Sequence, residues 1–330
     1  MIKQRRWQAL TIFLSVLTLF GFLVIALPVR ADLIGRYKPT GAGGCGNFID
    51  DLAGAEDGDG FLLMTPPQAS QGAEITQSIT LQGGWSPPND GCDSSESVYT
   101  TTDDLFAAGF IFAPEVRSTL FHDTGPVLTL QPEVVTVTLQ NLILEHSSTT
   151  TARGGGIYGL ISGNDVVRLE NIAIQESEVI TQGGGLFLEL RNGSHLVISD
   201  SQIISNTATR GGGFEVRLYE NSHLTIHNTE VRANEARTGN GGGVRILVQS
   251  GYVTLTESIF TGNQALAGEG GALSIEGVGG DSRLHLFINE SSFTGNQALV
   301  EDEVSINVTT LIPSGNYFPT LFLPVSRRAP

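Results

Sequence analysis

Hydrophobic residues recur along this chain with two nested periods. The short period is two. After each of five glycine clusters apolar positions alternate with others, as Ile157/Gly159/Ile161, Leu186/Leu188/Leu190, Phe214/Val216/Leu218, Val244/Ile246/Val248 and Leu273/Ile275/Gly277. Such alternation predicts a β-strand with one face turned to a core. A second alternating pair follows in every unit: Val167/Leu169, Leu196/Ile198, Leu224/Ile226, Val253/Leu255 and Leu286/Ile288. The third apolar column, Leu144, Ile174, Ile203, Val231, Phe260 and Phe293, stands three residues ahead of a Ser or Asn. Each unit is therefore three short strands joined by turns.

The long period is about 29 residues. Glycine triplets begin at Gly154, Gly183, Gly211 and Gly241, with Gly270-Gly271-Ala272 in the fifth place, at spacings of 29, 28, 30 and 29. Asn206, Asn234, Asn263 and Asn296 form a parallel series, and Ser147 and Ser177 take their place in two earlier units. The last interval in that series is 33 because the segment 277–283, GVGGDSR, holds extra residues. The heptad FTGNQAL occurs verbatim at 260–266 and 293–299. One unit cannot bury its apolar face alone, whereas units stacked in register share one continuous interior. The expectation is an all-β, single-chain parallel β-helix with coils of about 29 residues. Six rungs from about Val134 to Asn307, each about 4.8 Å from the next, would stand about 29 Å tall. Aligned asparagines would then donate to one neighbouring rung and accept from the other, and the glycines would occupy bends that a Cβ obstructs.

The motifs FTGN, FTGN and GGAL, with IISN, VRAN and the GGG[ILFV] copies as looser versions, carry a family resemblance over about residues 134–310. FxxN paired with GGA[ILV] resembles the repeat of the chlamydial polymorphic outer membrane proteins, and the chain is similar more widely to right-handed, pectin-lyase-like β-helices. The resemblance implies a right-handed coil and a surface-exposed or secreted passenger whose usual role is adhesion. The chlamydial proteins carry a large C-terminal membrane barrel, and this sequence stops soon after its last rung.

The start of the chain changes where this coil is expected to work. A basic start is followed by an apolar run of 19 residues from Ala9 to Leu27, a break at Pro28 and small residues at Val29 and Ala31, the pattern of an export signal over residues 1–31. An uncleaved anchor with KQRR inside is the alternative, and would be the chain's one route to a membrane. The expected address is the cell surface or the extracellular space. Residues 32–133 then read as an N-terminal cap and first coils, 134–310 as the repeats, and 311–330, broken by prolines, as a C-terminal cap or tail. Asn47 to Ala55 suits a short capping helix with Phe48, Ile49 and Leu52 on one face and Asn47 as N-cap.

Charge narrows the partners. The sequence holds 18 Lys and Arg against 34 Asp and Glu, a formal net charge of −16. Removal of residues 1–31 takes away Lys3, Arg5, Arg6 and Arg30 and no acid, leaving −20, with Lys38 the only lysine. Such a surface repels nucleic acid and polyanionic sugars. Expected partners are a glycan or a surface protein. Cys45 and Cys92 both lie in the exported part, where an oxidising milieu favours a disulfide between them. The bridge would close about 46 residues and add about 3–4 kcal/mol in the chain-entropy model.

Candidate chemistry is sparse. Pectin-lyase-like folds host polysaccharide lyases and hydrolases, so outward carboxylates have to be weighed, and Glu189, Glu215 and Glu276 qualify. In register, Glu189 falls beside Arg217 and Glu215 beside Arg245, which offers cross-rung ion pairing as the plainer account. GHG, RIK and NTD triplets of the resembling enzymes are missing from the sequence. His195, His223, Tyr252 and His285 share one column, read as stacked surface rings in preference to a metal site. Tyr158 over Phe187 is a second outward stack of the kind that binds sugar rings or stiffens a sheet. Gly41 to Gly46 matches G-x-G-x-x-G but follows no strand, so no dinucleotide is expected. EDGDG at 56–60 is read as a solvated turn, and NGS (192–194), NES (289–291) and NVT (307–309) are sequons. No cofactor or metal is expected. The working expectation is a non-catalytic exported scaffold, adhesin-like, with a carbohydrate-active enzyme as the alternative.

Overall fold

The computed structural model describes residues 36–313, apart from 42–44, 66, 89–91, 93–97, 101, 132–135, 147–152 and 301–302. Residues 1–31, read from the sequence as an export signal or an uncleaved anchor, and all of the chain beyond Pro313 therefore lie outside the described residues. What is described is a right-handed parallel β-solenoid, almost entirely β.

Three long sheets run up the coil. The first has eleven strands, among them Val166–Glu170, His195–Ser199, Ser222–His227, Ser250–Thr256 and Arg283–Asn289. The second has eight strands, including Gln202–Ile204, Glu230–Arg232 and Ile259–Thr261. The third also has eight, including Leu186–Arg191, Phe214–Leu218, Val244–Val248 and Leu273–Gly277. Pairing between rungs is parallel and joins equivalent positions, so that Leu196 meets Leu224, Leu224 meets Val253 and Val253 meets Leu286. Those side chains are buried, and a single core cluster runs from Phe48 to Ile306. Period-two alternation alone forces this: a slip of one residue would turn every such column outward.

Each coil in the later repeats holds one strand more than the three expected. Thr207–Ala208, Glu235–Ala236, Gln264–Glu269 and Gln297–Val300 form a fourth, four-stranded sheet between the second and third. The signal is weak, resting in each coil on a single small inward residue, Ala208, Ala236, Ala265 or Ala298.

The corners repeat as strictly as the strands. Between the first and second sheets a single left-handed residue turns the chain: Asn141, Asn171, Asp200, Asn228, Glu257 and Glu290, with φ between 43° and 55°. Asn and Asp tolerate that region best among residues with a side chain. The opening glycine of each triplet is also left-handed, as at Gly183 (φ 63°). The next one serves a different need, since a Cβ on Gly184 would strike the carbonyl oxygen of Gly212 in the coil above.

Asn206, Asn234, Asn263 and Asn296 stand in single file inside the coil. The Oδ1 of each of the last three accepts the backbone N–H of the asparagine before it, at 2.9, 3.1 and 2.9 Å, and also that residue's side-chain amide, at 3.1, 2.9 and 2.8 Å. The amides also donate to main-chain carbonyls, Asn206 to Ile174 and Asn234 to Ile203, both at 2.9 Å. Ser177 continues the file by donating its N–H to Asn206 Oδ1 at 3.1 Å. Ser147 lies outside the described residues.

Earlier coils widen the expectation at the N-terminal end. Arg36–Thr40, Asp59–Met64 and Ile79–Ser86 extend the first sheet below the repeats, and Thr310–Pro313 adds one strand above them. Helix α1, Phe48–Ala53, is capped by Asn47, whose Oδ1 accepts the N–H of Ile49 at 3.0 Å, and Phe48 and Leu52 enter the core. Cys45 is bonded to Cys92, which ties this end to the long insertion after Trp85. That insertion contains a second helix, α2 (Thr102–Ala107), and a strand, Ile111–Phe112, that pairs antiparallel with Trp85–Ser86. Neither was read from the sequence.

Candidate functional site: two outward ladders

Side chains on the outer faces stack as regularly as those inside, and two columns carry the candidate chemistry. On the third sheet the column is ionic. Arg191 donates to Glu189 Oε1 at 2.8 Å through Nε, and Arg217 Nη1 lies 3.9 Å from Glu189 Oε2. Arg217 grips Glu215 Oε1 with Nε and Nη2, both at 2.9 Å, while Arg245 Nη1 reaches Glu215 Oε2 at 2.9 Å. Arg245 then clasps Glu276 with two bonds of 2.7 Å. The run Arg191, Glu189, Arg217, Glu215, Arg245, Glu276 thus alternates in sign over four rungs.

Burial closes this column to solvent. Glu215 is wholly buried and both of its oxygens are held by guanidinium N–H groups. Burial works against the charge of Arg245, but its hydrogen bonds to Glu276 and the charges of both glutamates prevail and raise its pKa. For Glu276 burial likewise works the other way, and the bonds and charge of Arg245, with Asn240 and Ser274, hold its carboxyl below the ordinary range. General acid–base work needs a carboxyl able to reach a substrate proton. Glu215 is spent within the ladder, and Glu189 is bonded to Arg191.

Phe187 corrects an expectation. Alternation sends it outward, and it does stack on Tyr158 with centroids 5.8 Å apart. Yet it is fully buried, with Arg153 and Arg217 over its ring at 5.0 and 4.9 Å. Two guanidinium groups occupy the faces that a sugar would need.

The second column lies on the first sheet. His195, His223, Tyr252 and His285 stack with centroids 4.2, 4.4 and 4.4 Å apart and planes within 8°, 6° and 19°. Ring faces are thereby consumed by ring neighbours, and edges remain. The ring nitrogens of the three histidines and the Tyr252 hydroxyl make no side-chain hydrogen bond among the described residues. Near-parallel rings aim their nitrogen lone pairs side by side instead of at one point, which suits solvent or a flat partner better than a shared metal ion. Burial, and then the neighbouring His195, depress the pKa of His223.

The remaining candidates settle into structural roles. In the EDGDG turn, Asp59 Oδ2 accepts the Glu56 N–H at 3.0 Å, Asp57 Oδ1 accepts the Ser78 N–H at 2.9 Å, and Arg36 bonds Glu56 at 2.9 Å. The G-x-G-x-x-G stretch does follow a strand, Arg36–Thr40, against the expectation, but that strand is the edge of the coil's first sheet, and Gly41 N–H donates to the Gly46 carbonyl at 3.3 Å to close a loop whose middle lies outside the described residues. Among the described residues no three His, Cys, Asp or Glu side chains group as metal ligands, and no helix is long and apolar enough to cross a membrane.

A family model described as "Right handed beta helix region" matches residues 133–298, half of the chain. The protein belongs to the right-handed β-helix family. The match covers all five glycine clusters and all six Ser/Asn positions described above and reaches into the second FTGNQAL. Comparison with curated proteins finds no matching sequence. Among solved structures, the β-helix chain is similar to one titled "Crystal structure of pectate lyase Pel9A", at 12% identity and a TM-score of 0.38, over 82% of this chain and 73% of that one. A likeness of that degree says nothing about what this β-helix does.

Proposed function

We propose that the protein is an exported, non-catalytic β-helix scaffold, secreted or held at the cell surface, that binds a glycan or a surface protein through its outward columns. The observation that carries this reading is the state of the outward carboxylates. Glu189 and Glu215 are engaged by arginines of their own ladder, so the outer face presents a continuous stacked surface in place of a free acid–base pair. The basic start and apolar run of residues 1–31 support export, and the FTGN and GGAL motifs, resembling the chlamydial surface passengers, support an adhesin-like role.

Incubation of the purified protein with a panel of polysaccharides tests it. The expected outcome is retention of one or more glycans with no new reducing ends and no unsaturated products. Cleavage would replace this reading with a carbohydrate-active enzyme, and Glu189→Gln and Glu215→Gln would then show whether these carboxylates take part. Cell fractionation with N-terminal sequencing checks the address: export predicts a mature form beginning near Asp32, and a full-length cytoplasmic protein would sink it.

A further inference from the structure

The third sheet's upper end has a longer strand on one side and a longer turn on the other, and both border one cavity. On one side the fourth-sheet strand Gln264–Glu269 runs for six residues where its two predecessors have two. On the other, the lengthened segment 277–283 contributes Gly277, Gly279 and Ser282, next to Thr309. Between them lies a cavity of about 350 Å3, floored by the register partners Glu276 and Asn307. That volume is at the lower end for small-molecule clefts, about 300–1,000 Å3. Insertions on an otherwise strict solenoid are where binding loops are found.

The walls are internally braced. Asn240 donates to Glu276 Oε1 at 3.1 Å and accepts the Glu269 N–H at 2.9 Å. Ser282 Oγ bonds Thr309 Oγ1 at 3.1 Å and accepts the Thr309 N–H at 2.9 Å. A Cβ on Gly277 would run into the Ser282 hydroxyl, so the bend that forms this wall needs glycine. Some groups in the cavity are left with capacity. Glu269 Oε2 accepts the Ser305 hydroxyl at 3.1 Å, but Oε1 has no partner among the described residues, and neither has the Asn307 side-chain amide.

Resting on the reading of the protein as a glycan-binding scaffold, we infer that this groove takes the hydroxyl groups of a neutral saccharide. Carboxylate and amide oxygens accept from sugar hydroxyls, and the Asn307 amide N–H and Thr309 hydroxyl can donate to them. A uronate or sulfated sugar would meet the Glu269 carboxylate, whose charge faces no arginine in the cavity lining. A cation is disfavoured on the other count. Both oxygens of Glu276 are already bonded to Arg245, so an ion at Glu276 would sit against a guanidinium charge.

Retention of the full chain on immobilised β-glucan, xylan and starch, with polygalacturonate as the anionic comparator, tests this. Neutral glycan should be retained and polygalacturonate not. Glu269→Gln and Asn307→Ala should each weaken retention about tenfold, the scale of one lost hydrogen bond to a charged or well-placed group. Thermal melting should be unchanged in both, since neither side chain is in the core. Asp50→Asn, exposed on helix α1 and outside both ladders, should bind like the parent. Full retention by both groove variants would overturn this site and leave the scaffold reading intact. Preference for polygalacturonate, or retention that appears with added calcium and vanishes with a chelator, would overturn the chemistry assigned to the groove. Failure to retain any glycan would overturn glycan binding itself and this site with it.

Discussion

On the outer face of the third sheet Glu215 and Arg245 are buried and hold one another, whereas on the first sheet His195, His223, Tyr252 and His285 stack with their edges in solvent. Both columns come from the same rule, equivalent residues placed one rung above the next. What differs is the part of the side chain that the vertical neighbour uses. An ion pair spends the charged atoms themselves, so the ladder on the third sheet is chemically closed. Ring stacking spends faces and keeps heteroatoms, so the ladder on the first sheet is chemically open. Repetition supplies geometry, and side-chain type decides whether any reactivity survives it.

The interior asparagine file sets the scale against which either face can be broken. Asn234→Ala would leave the Asn206 N–H and the Ile203 carbonyl buried without partners, for a loss of about 4 kcal/mol at roughly 1–3 kcal/mol each. A denaturant midpoint reads it, and a loss near zero would mean that the file is decorative. Arg245→Ala comes next. It strips one arginine from buried Glu215 and the bidentate partner from Glu276, and should lower stability by about 3 kcal/mol. A neutral effect would show that the ionic column is as exposed in solution as the ring column.

Acid separates the faces by pH window. The pKa of His223 is depressed below its ordinary value of 6.5, by burial first and by His195 second. As pH falls below that value the unfolded chain takes up a proton that folded His223 refuses, so its contribution to stability is present above 6.5 and is lost as pH falls through the folded pKa. Glu276 is also depressed, from 4.5, chiefly by Arg245 acting against burial. Its contribution is present above 4.5 and lost only below it. Melting curves between pH 8 and pH 5 should therefore show a decline that His223→Gln flattens and Arg245→Ala leaves in place. A decline that survives His223→Gln would assign it to another group.

How much of this could be read from the residues follows from the same comparison. Strand registers, the apolar columns and the placement of both ladders rest on period two within period 29, and that pattern is written in side chains that the sequence displays. Burial of the outer face is not. Phe187 points outward by alternation and is covered by Arg153 and Arg217, because coverage depends on the path of the segment before each glycine triplet and on long side chains folding back. The fourth sheet escaped notice because two-residue strands with one small alanine have no period to detect. Helix α2 has a faint signal, Thr102 followed by Asp103 and Asp104 in its first turn, but six residues show little more than one repeat of helical spacing. The groove beside segment 277–283 was marked only by the interval of 33, a departure from the repeat with no chemistry attached to it.

Tyr252→Phe should have the smallest effect and isolates what the ring column keeps. Phenylalanine preserves both stacking contacts, to His223 and to His285, while removing the one hydroxyl on the edge. Half-buried and unbonded, that hydroxyl contributes little to folding, so stability should stay within about 0.5 kcal/mol of the parent. His223→Ala, which breaks two stacks at once, should cost about 1 kcal/mol by the same assay. If Tyr252→Phe were instead the more damaging of the two, the hydroxyl would have a partner in solution. The first sheet would then be closed by hydrogen bonds as the third is by charge, and the contrast between the faces would collapse.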